Sequence, residues 1–116
     1  MEIKVNTDKE YLVFYLKGNI DIVKASKLEK EIHEIIKKFP DYHILFSLRY
    51  VQLVSSSGFG MIINLQKIKS KEGIRIALSN LSFENKRILE LMGIEGMIEI
   101  YPTESEFEDR CGDPFC

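Results

Sequence analysis

The residues best suited to chemistry are three consecutive serines, Ser55, Ser56 and Ser57, which stand directly before a run with helical character. Amide groups in the first turn of a helix lack intrahelical acceptors, and the helix dipole favours negative charge there. Such a position accepts a phosphate readily, whether bound or covalently attached. Gly58 and Gly60 would leave the surface open to another chain. A plainer interpretation, which the local pattern alone favours, is that Ser55 or Ser56 caps the helix and the glycines serve close packing.

The sequence lacks the residues that a metal site, a nucleophile motif or a dinucleotide-binding motif would need. His33 and His43 stand apart from any cysteine or carboxylate cluster with metal-ligand spacing, so we expect no metal site. Val54 occupies a position where a Gly-x-Ser-x-Gly nucleophile motif needs glycine, and Ile63 replaces the last glycine of a dinucleotide fingerprint. No acid–base or nucleophile–base constellation is evident. We therefore expect a protein without catalytic activity and without a cofactor.

Length, charge and apolar patterning limit the class of protein. The chain has 116 residues, enough for one domain, and we assign residues 1–110 to it and residues 111–116 to a short tail. Sixteen basic and eighteen acidic residues give a net charge of −2, which argues against binding of nucleic acid. The apolar runs are too short to span a bilayer, and the first residues lack the pattern of a signal peptide. We therefore expect neither nucleic acid nor membrane as a partner.

The two cysteines, Cys111 and Cys116, both fall in the predicted tail. The domain should therefore fold without a disulfide, which suits a reducing compartment. Cytoplasm is the expected location. We expect the tail to be frayed, with two exposed thiols.

The pattern of apolar residues predicts the elements that must position the serines. Ile3 and Val5, and then residues 11–17, alternate as half-exposed strands do, and the short polar turn between them predicts a hairpin. Residues 43–48 form a continuous apolar run, which is typical of a strand covered on both faces. Further strands are predicted over residues 74–78 and 97–101, and helices from Asp21 to Pro40, over residues 59–71 and 83–92, and after the capping-box pattern of residues 103–106.

The resulting order of elements, β-β-α-β-α-β-α-β-α, predicts a single α/β domain. Strands separated by helices should be parallel neighbours, whereas the opening hairpin should add an antiparallel edge. We therefore expect a mixed β-sheet packed with helices. Its exposed edge could pair with a second copy in a homodimer.

Two motifs in this order of elements resemble a known family. Residues 53–60 are similar to the pattern in which a strand and connector lead into Asp-Ser-Ser/Ala-Gly-Leu-Gly and an apolar helix. Residues 18–21 resemble the Gly-x-Leu/Ile-Asp that precedes the first helix of the same family. Together with the order of elements from Glu2 to Asp109, they make the chain resemble a STAS domain, the fold of the bacterial anti-sigma-factor antagonists.

The resemblance implies a function and a set of site residues. In that family the unmodified antagonist binds a serine kinase, which is itself the anti-sigma factor, and phosphorylation ends the binding. The phosphorylated serine corresponds to Ser56, with Ser55 and Ser57 as less favoured acceptors. The plainer accounts are a helix cap for Asp21 and a turn residue for Asn80. The implied contacts with the kinase are Gly18, Asn19, Asp21, Ser55, Ser57, Gly58, Phe59, Gly60 and Asn80.

The sequence departs from the family pattern at two positions. Ser55 stands where the family has aspartate, and Ser47 replaces an aspartate that usually follows the apolar run of the strand. The missing carboxylate at Ser55 favours an alternative, in which the chain is an unphosphorylated STAS docking or assembly subunit of a signalling complex. A second alternative, from another class, is a small domain that binds an anionic ligand at the helix N-terminus.

Overall fold

The computed structural model describes residues 1–111, and these residues form a mixed sheet in the strand order β1-β2-β3-β4-β5. The hairpin of β1 and β2 is antiparallel, and every later pair of neighbours is parallel. The predicted α/β class, order of elements and antiparallel edge are therefore confirmed. The strands are β1 (Glu2–Asn6), β2 (Tyr11–Lys17), β3 (His43–Tyr50), β4 (Ile76–Ser79) and β5 (Glu99–Tyr101).

Each helix begins at a side chain that accepts a hydrogen bond from the first turn. These N-cap residues are Asp21, Ser55, Ser82 and Thr103, all types that satisfy otherwise unpaired amide groups. The third helix ends at Gly93, whose φ of +68° is the left-handed conformation that glycine adopts without strain. The helices are α1 (Ile22–Ile36), α2 (Ser56–Ser70), α3 (Phe83–Met92) and α4 (Glu104–Arg110), with a 3-10 turn at Glu95–Met97.

The sheet separates two apolar cores. The larger one lies under α1, α2 and α3 and includes the stacked rings of Phe14 and Phe46. The smaller one lies under α4, where the Phe107 ring meets the edges of Tyr11 and Tyr101 at 5.7 Å between ring centroids. Both faces of the sheet are thus covered along its central strands.

Three expectations from the sequence need correction. Strand β2 is buried on both faces, because α4 covers Tyr11 and Val13, so its alternation does not indicate a half-exposed strand. Cys111 is 4% exposed and packs in the smaller core, so its thiol is not exposed. Cys116 lies outside the described residues. The fourth and fifth strands begin at Ile76 and Glu99, each two residues later than predicted.

The parallel arrangement decides which loops meet. Because β2, β3, β4 and β5 run in the same direction, the segments that follow them all emerge at one edge of the sheet. The starts of α1, α2, α3 and α4 are therefore gathered at this carboxyl edge, together with the three serines.

Candidate partner-binding site

Main-chain hydrogen bonds join two connectors at the carboxyl edge. The amide of Gly18 donates to the carbonyl of Tyr50 at 3.0 Å, and the amide of Ile20 donates to the carbonyl of Leu53 at 2.9 Å. The amide of Ser55 then donates back to the carbonyl of Ile20 at 2.8 Å. The segment 18–21 is thereby held alongside the segment 50–55. The two motifs that resembled the family thus form one surface.

The three serines have different environments. Ser55 is half-buried, and its Oγ accepts a hydrogen bond from the amide of Gly58 at 3.1 Å, so it is the N-cap of α2. Ser56 and Ser57 are exposed in the first turn, and neither hydroxyl is hydrogen-bonded to another group within residues 1–111. The capping role predicted for Ser55 or Ser56 therefore belongs to Ser55. Because Ser55 is the cap, the Ser56 hydroxyl is not engaged by the helix and is accessible.

Gly58, Phe59 and Gly60 follow the serines but do not all face a partner. Phe59 is 1% exposed and belongs to the larger core, and Gly58 is buried against Val54 and Ile20. These two residues therefore hold α2 against the sheet, and a direct contact with a partner, expected from the resemblance, does not fit their burial. Gly60 is half-buried, and within residues 1–111 only its chain neighbours and the backbone of its own helix lie within 4 Å of where its Cβ would be.

The segment 18–21 presents exposed residues beside the serines. Gly18, Asn19 and Asp21 are all exposed, which is compatible with the contacts predicted for them. Asp21 also caps α1, since its Oδ1 accepts from the amide of Lys24 at 2.8 Å. The plainer interpretation of Asp21 is thus confirmed, and its position on the surface leaves a second role open.

Asn80 lies at the same edge but faces a different groove. It follows β4 with a φ of +58°, and it lines a groove of about 560 Å³ beside α4, together with Arg49 and Thr103. Its amide donates to the carbonyl of Tyr101 rather than to either connector of the serine site. Asn80 is therefore not brought together with the segment 18–21 by the hydrogen bonds that define the site.

Sequence reasoning missed Asn85, which fixes the connector before α2. Its side chain is completely buried, and its Oδ1 accepts a hydrogen bond from the amide of Val54 at 2.9 Å. Ser82, the N-cap of α3, also donates from its hydroxyl to the carbonyl of Gln52 at 3.2 Å. The available signal was an asparagine on the same stripe of α3 as the buried Leu89. A polar residue on a buried stripe must find a partner.

Large apolar side chains are exposed on the segments that share the carboxyl edge with the serines. Ile22 is 67% exposed and Val23 61%, and both follow directly on Asp21. Leu53 is 44% exposed in the connector, and Phe83 is 75% exposed at the start of α3. A group of exposed apolar residues with polar neighbours marks a surface for contact with another protein. We name Ile22, Val23, Leu53 and Phe83 the apolar rim.

A second polar cluster lies away from the carboxyl edge. Arg75 donates from Nε to Glu99 at 2.8 Å and from Nη2 to the hydroxyl of Tyr101 at 3.1 Å, while its amide donates to Nδ1 of His43 at 3.0 Å. Burial lowers the pKa of His43, and the Arg75 charge adds to this effect. Burial alone would raise the pKa of Glu99, but the hydrogen bonds and charge of Arg75 outweigh it, and the pKa is lowered. This cluster ties β4 to β5 and does not join the site.

The structure of residues 1–111 also bears on metal binding and on membrane spans. This part of the chain contains no group of three or more histidine, cysteine, aspartate or glutamate residues able to hold a metal ion. None of its helices is long and apolar enough to cross a membrane.

Relatives of known sequence are named as regulators. The anti-sigma F factor antagonist of Paenibacillus polymyxa is 25% identical over 104 residues, which cover 90% of this chain and 89% of the relative. The anti-sigma-B factor antagonist of Bacillus subtilis is 24% identical and covers 86% of this chain and 90% of its own. Both alignments span nearly the whole of each protein.

Solved structures show the same fold. TM1081 of Thermotoga maritima superposes with a TM-score of 0.85, 23% identity and coverage of 96% of this chain and 93% of its own. SpoIIAA of Bacillus superposes in its phosphorylated form with a TM-score of 0.70 at 21% identity, covering 94% of this chain and 96% of its own. The sequence model of the STAS domain family matches residues 2–107, which is nearly all of the part of the chain that the structure describes. The resemblance found in the sequence is thereby confirmed, and the chain belongs to the STAS domain family.

Proposed function

We propose that this chain is a regulatory protein of the anti-sigma-factor antagonist type, which binds an anti-sigma serine kinase in the cytoplasm and is switched by phosphorylation of Ser56. The observation that carries the proposal is the exposed, unpaired Ser56 hydroxyl in the first turn of α2, at the same edge of the sheet as the apolar rim. The names of the curated relatives support the same assignment. The protein acts by contact and is a substrate of its partner.

The unmodified state is the one that binds. The apolar rim can be buried by a partner, and fully burying a large apolar side chain stabilises a complex by about 1.5–3 kcal/mol. The segment 18–21 and the exposed serines would lie within the same contact area, because main-chain hydrogen bonds hold the two connectors together. An interface of standard size, about 800 Å² on each partner, is large enough to include all of them.

Phosphorylation would act on the complex rather than on the fold. A phosphate adds about −1.5 to −2 charges, and the start of a helix accommodates negative charge. The modified protein should therefore keep its structure. Burying that charge in an interface without a matching cation is unfavourable, so the partner would be released.

Ser55 is compatible with this proposal although the family pattern has aspartate there. Serine and aspartate are equally good N-caps, and Ser55 performs the cap through its bond to the Gly58 amide. The helix start, and with it the position of Ser56, is thus held without a carboxylate. The loss of that carboxylate also removes one negative charge next to the site of phosphorylation.

The alternative is constitutive docking without phosphorylation. The substitution of aspartate by Ser55 favours it, because a carboxylate beside the acceptor could contribute to recognition by a kinase. In this case the same rim and the same connectors would form the contact, but Ser56 would stay unmodified. The chain would then serve as an assembly subunit of a signalling complex.

Mass spectrometry of the protein isolated from its native cells separates the two. We expect one phosphate on the peptide that contains Ser56, absent from a Ser56→Ala variant and retained in the matched Ser57→Ala variant. Native protein that stays unmodified through growth and stress conditions would reject the switch and leave constitutive docking. Phosphate that persists in Ser56→Ala would reject Ser56 as the acceptor.

A phosphate mimic tests where the effect of the charge falls. Ser56→Glu places a negative charge at an exposed position in the first turn of α2, which should change the free energy of unfolding by no more than about 0.5 kcal/mol. Urea unfolding measures this change. A loss of several kcal/mol would mean that negative charge damages the fold itself, contrary to the proposed mechanism.

A further inference from the structure

We infer that the partner presents a carboxylate-bearing segment to a basic cluster that adjoins the serine site. This inference rests on the proposed function, since it assigns the chemistry of the partner that docks there. The basic cluster consists of Lys17, Lys24 and Arg49, gathered around the half-exposed ring of Tyr50.

Close contacts define the geometry of the basic cluster. The Lys17 Nζ lies 5.9 Å and the Arg49 Cζ 5.5 Å from the centroid of the Tyr50 ring, within the range of cation–π attraction. The Lys24 Nζ donates to the carbonyl of Lys17. The amide of Gly18 donates to the carbonyl of Tyr50, so the cluster continues directly into the segment 18–21 of the site.

The cations of this cluster have few direct ion-pair partners within residues 1–111, although Arg49 lines the groove beside α4 together with Glu104 and Glu108. Neither Lys24 nor Arg49 forms an ion pair with a carboxylate of residues 1–111. Lys17 lies 3.4 Å from Glu2, but both side chains are more than half exposed, and such a pair contributes little. The cluster is therefore available to carboxylates from outside the chain.

Three of the four segments that emerge at the carboxyl edge are basic on balance, whereas residues 101–108, which lead into α4, carry Glu104, Glu106 and Glu108. The segments 17–24, 49–57 and 80–87 carry five basic and two acidic residues, a net charge of +3. The whole chain carries −2, so the other residues together carry −5. One of the two acidic residues, Asp21, is engaged as the cap of α1. Such a separation of charge attracts a negatively charged partner to the side of the edge formed by these three segments and repels it from the side next to α4.

The combination of charge and apolar surface favours a protein over nucleic acid. Binding driven by release of counterions typically uses about 6–10 phosphate contacts, whereas the basic cluster offers three cations. The adjoining Ile22, Val23 and Leu53 need an apolar surface to cover them. Apolar contacts at the centre and charged contacts at the border are the usual anatomy of a protein interface. A segment with carboxylates next to apolar side chains fits this surface.

This chemistry also gives phosphorylation a second way to release the partner. A phosphate of about −1.5 to −2 charges on Ser56 would cancel much of the +3 carried by these three segments. It would also repel the carboxylates of the partner directly. Both effects slow association as well as weakening the complex, because charges at the border of an interface steer the encounter.

Nuclear magnetic resonance titration of the full chain tests the inference. The probe is a short synthetic peptide of alternating glutamate and leucine. We expect saturable shifts at the amides of Lys17, Arg49 and Tyr50, and binding about five-fold weaker for Arg49→Gln. The matched control is Lys38→Gln, an exposed lysine beyond the far end of α1, which should bind the peptide as the native protein does.

Other probes decide between classes of partner. A lysine–leucine peptide should not bind, and single-stranded oligothymidylate and vesicles of phosphatidylglycerol should bind more weakly than the glutamate peptide. The inference is overturned by tighter binding of either phosphate probe, by absence of saturable shifts, or by equal binding of Arg49→Gln and the native protein. Its failure is distinct from that of the switch, because Ser56→Ala abolishes phosphorylation without removing the basic cluster.

Discussion

Gly58 and Gly60 form a matched pair within α2 and should respond to alanine in opposite ways. A Cβ at Gly58 would lie 2.7 Å from Cγ1 of Val54 and 3.2 Å from Cγ2 of Ile20. Apart from its chain neighbours and the backbone of its own helix, a Cβ at Gly60 would meet no atom of residues 1–111 within 4 Å. Neither glycine has a positive φ, so alanine suits the backbone at both positions. The two substitutions therefore differ in packing alone.

The magnitudes follow from two opposing effects. Replacing a helical glycine by alanine stabilises by about 0.5–1 kcal/mol, and Gly60→Ala should show this gain. At Gly58 the same gain is offset by overpacking, which costs about 1–3 kcal/mol. The contact cannot be relieved easily, since Val54 is completely buried and its β-branched side chain has few rotamers. Both variants gain the same stability from replacing a helical glycine by alanine. The difference between their free energies of unfolding should therefore equal the overpacking cost at Gly58.

Urea unfolding followed by circular dichroism gives the free energy of unfolding of both variants. We expect Gly60→Ala to be more stable than the native protein, and Gly58→Ala to be about 1–3 kcal/mol less stable than Gly60→Ala. In the double variant Gly58→Ala/Val54→Ala the overpacking should be relieved, so the two changes should cost less together than the sum of their separate costs. Equal stability of the two alanine variants, or strict additivity with Val54→Ala, would refute the close packing at Gly58.

Three further predictions concern the supports of the site and the fold. Asn85→Ala should lower the free energy of unfolding by about 1–3 kcal/mol, because the buried amide of Val54 loses its acceptor; urea unfolding measures this. Ser55→Ala should cost about 1 kcal/mol through loss of the helix cap, measured in the same way. Glu99→Gln should make the free energy of unfolding less dependent on pH in the acid range. The pKa of Glu99 is lowered in the folded state, so the ionised carboxylate stabilises the fold above pH 4.5, and this stabilisation is lost as the pH falls below that value. Urea unfolding at a series of pH values measures the loss.

The first two of these predictions have matched controls. Glu84→Ala changes an exposed neighbour of Asn85 on the same helix, and Ser57→Ala removes a hydroxyl that does not cap α2. Both should change stability by no more than about 0.5 kcal/mol. Native-like stability of Asn85→Ala would contradict a structural role for its hydrogen bond. An unchanged acid profile in Glu99→Gln would show that Arg75 does not stabilise the ionised carboxylate.

The order of elements was predictable because each has a clear period and clear ends. Strand β3 is a continuous apolar run, and α3 begins after its N-cap Ser82 and ends at its C-cap Gly93. The second core was not predictable by the same means. Tyr11 and Tyr15 fit an exposed face as well as a buried one, and α4 contributes one large apolar residue, Phe107, to cover them.

The site itself was predicted in part. The serines and the segment 18–21 were found through motifs, and the structure brings them together. Three features depend on tertiary packing and therefore could not be inferred from local sequence. These are the inward orientation of Phe59, the choice of Ser55 over Ser56 as the cap, and the hydrogen bond from Val54 to Asn85.

The main-chain hydrogen bonds between the segments 18–21 and 50–55 also bear on how such proteins diverge. The bonds from Gly18, Ile20 and Ser55 join backbone atoms, so the shape of this surface does not depend on the exposed side chains that it displays. Exposed positions such as Asn19, Val23 and Leu53 can then be exchanged without rebuilding the scaffold. Duplicated copies in one cell could acquire separate partners through a few surface substitutions, and so avoid cross-talk between parallel signalling pathways.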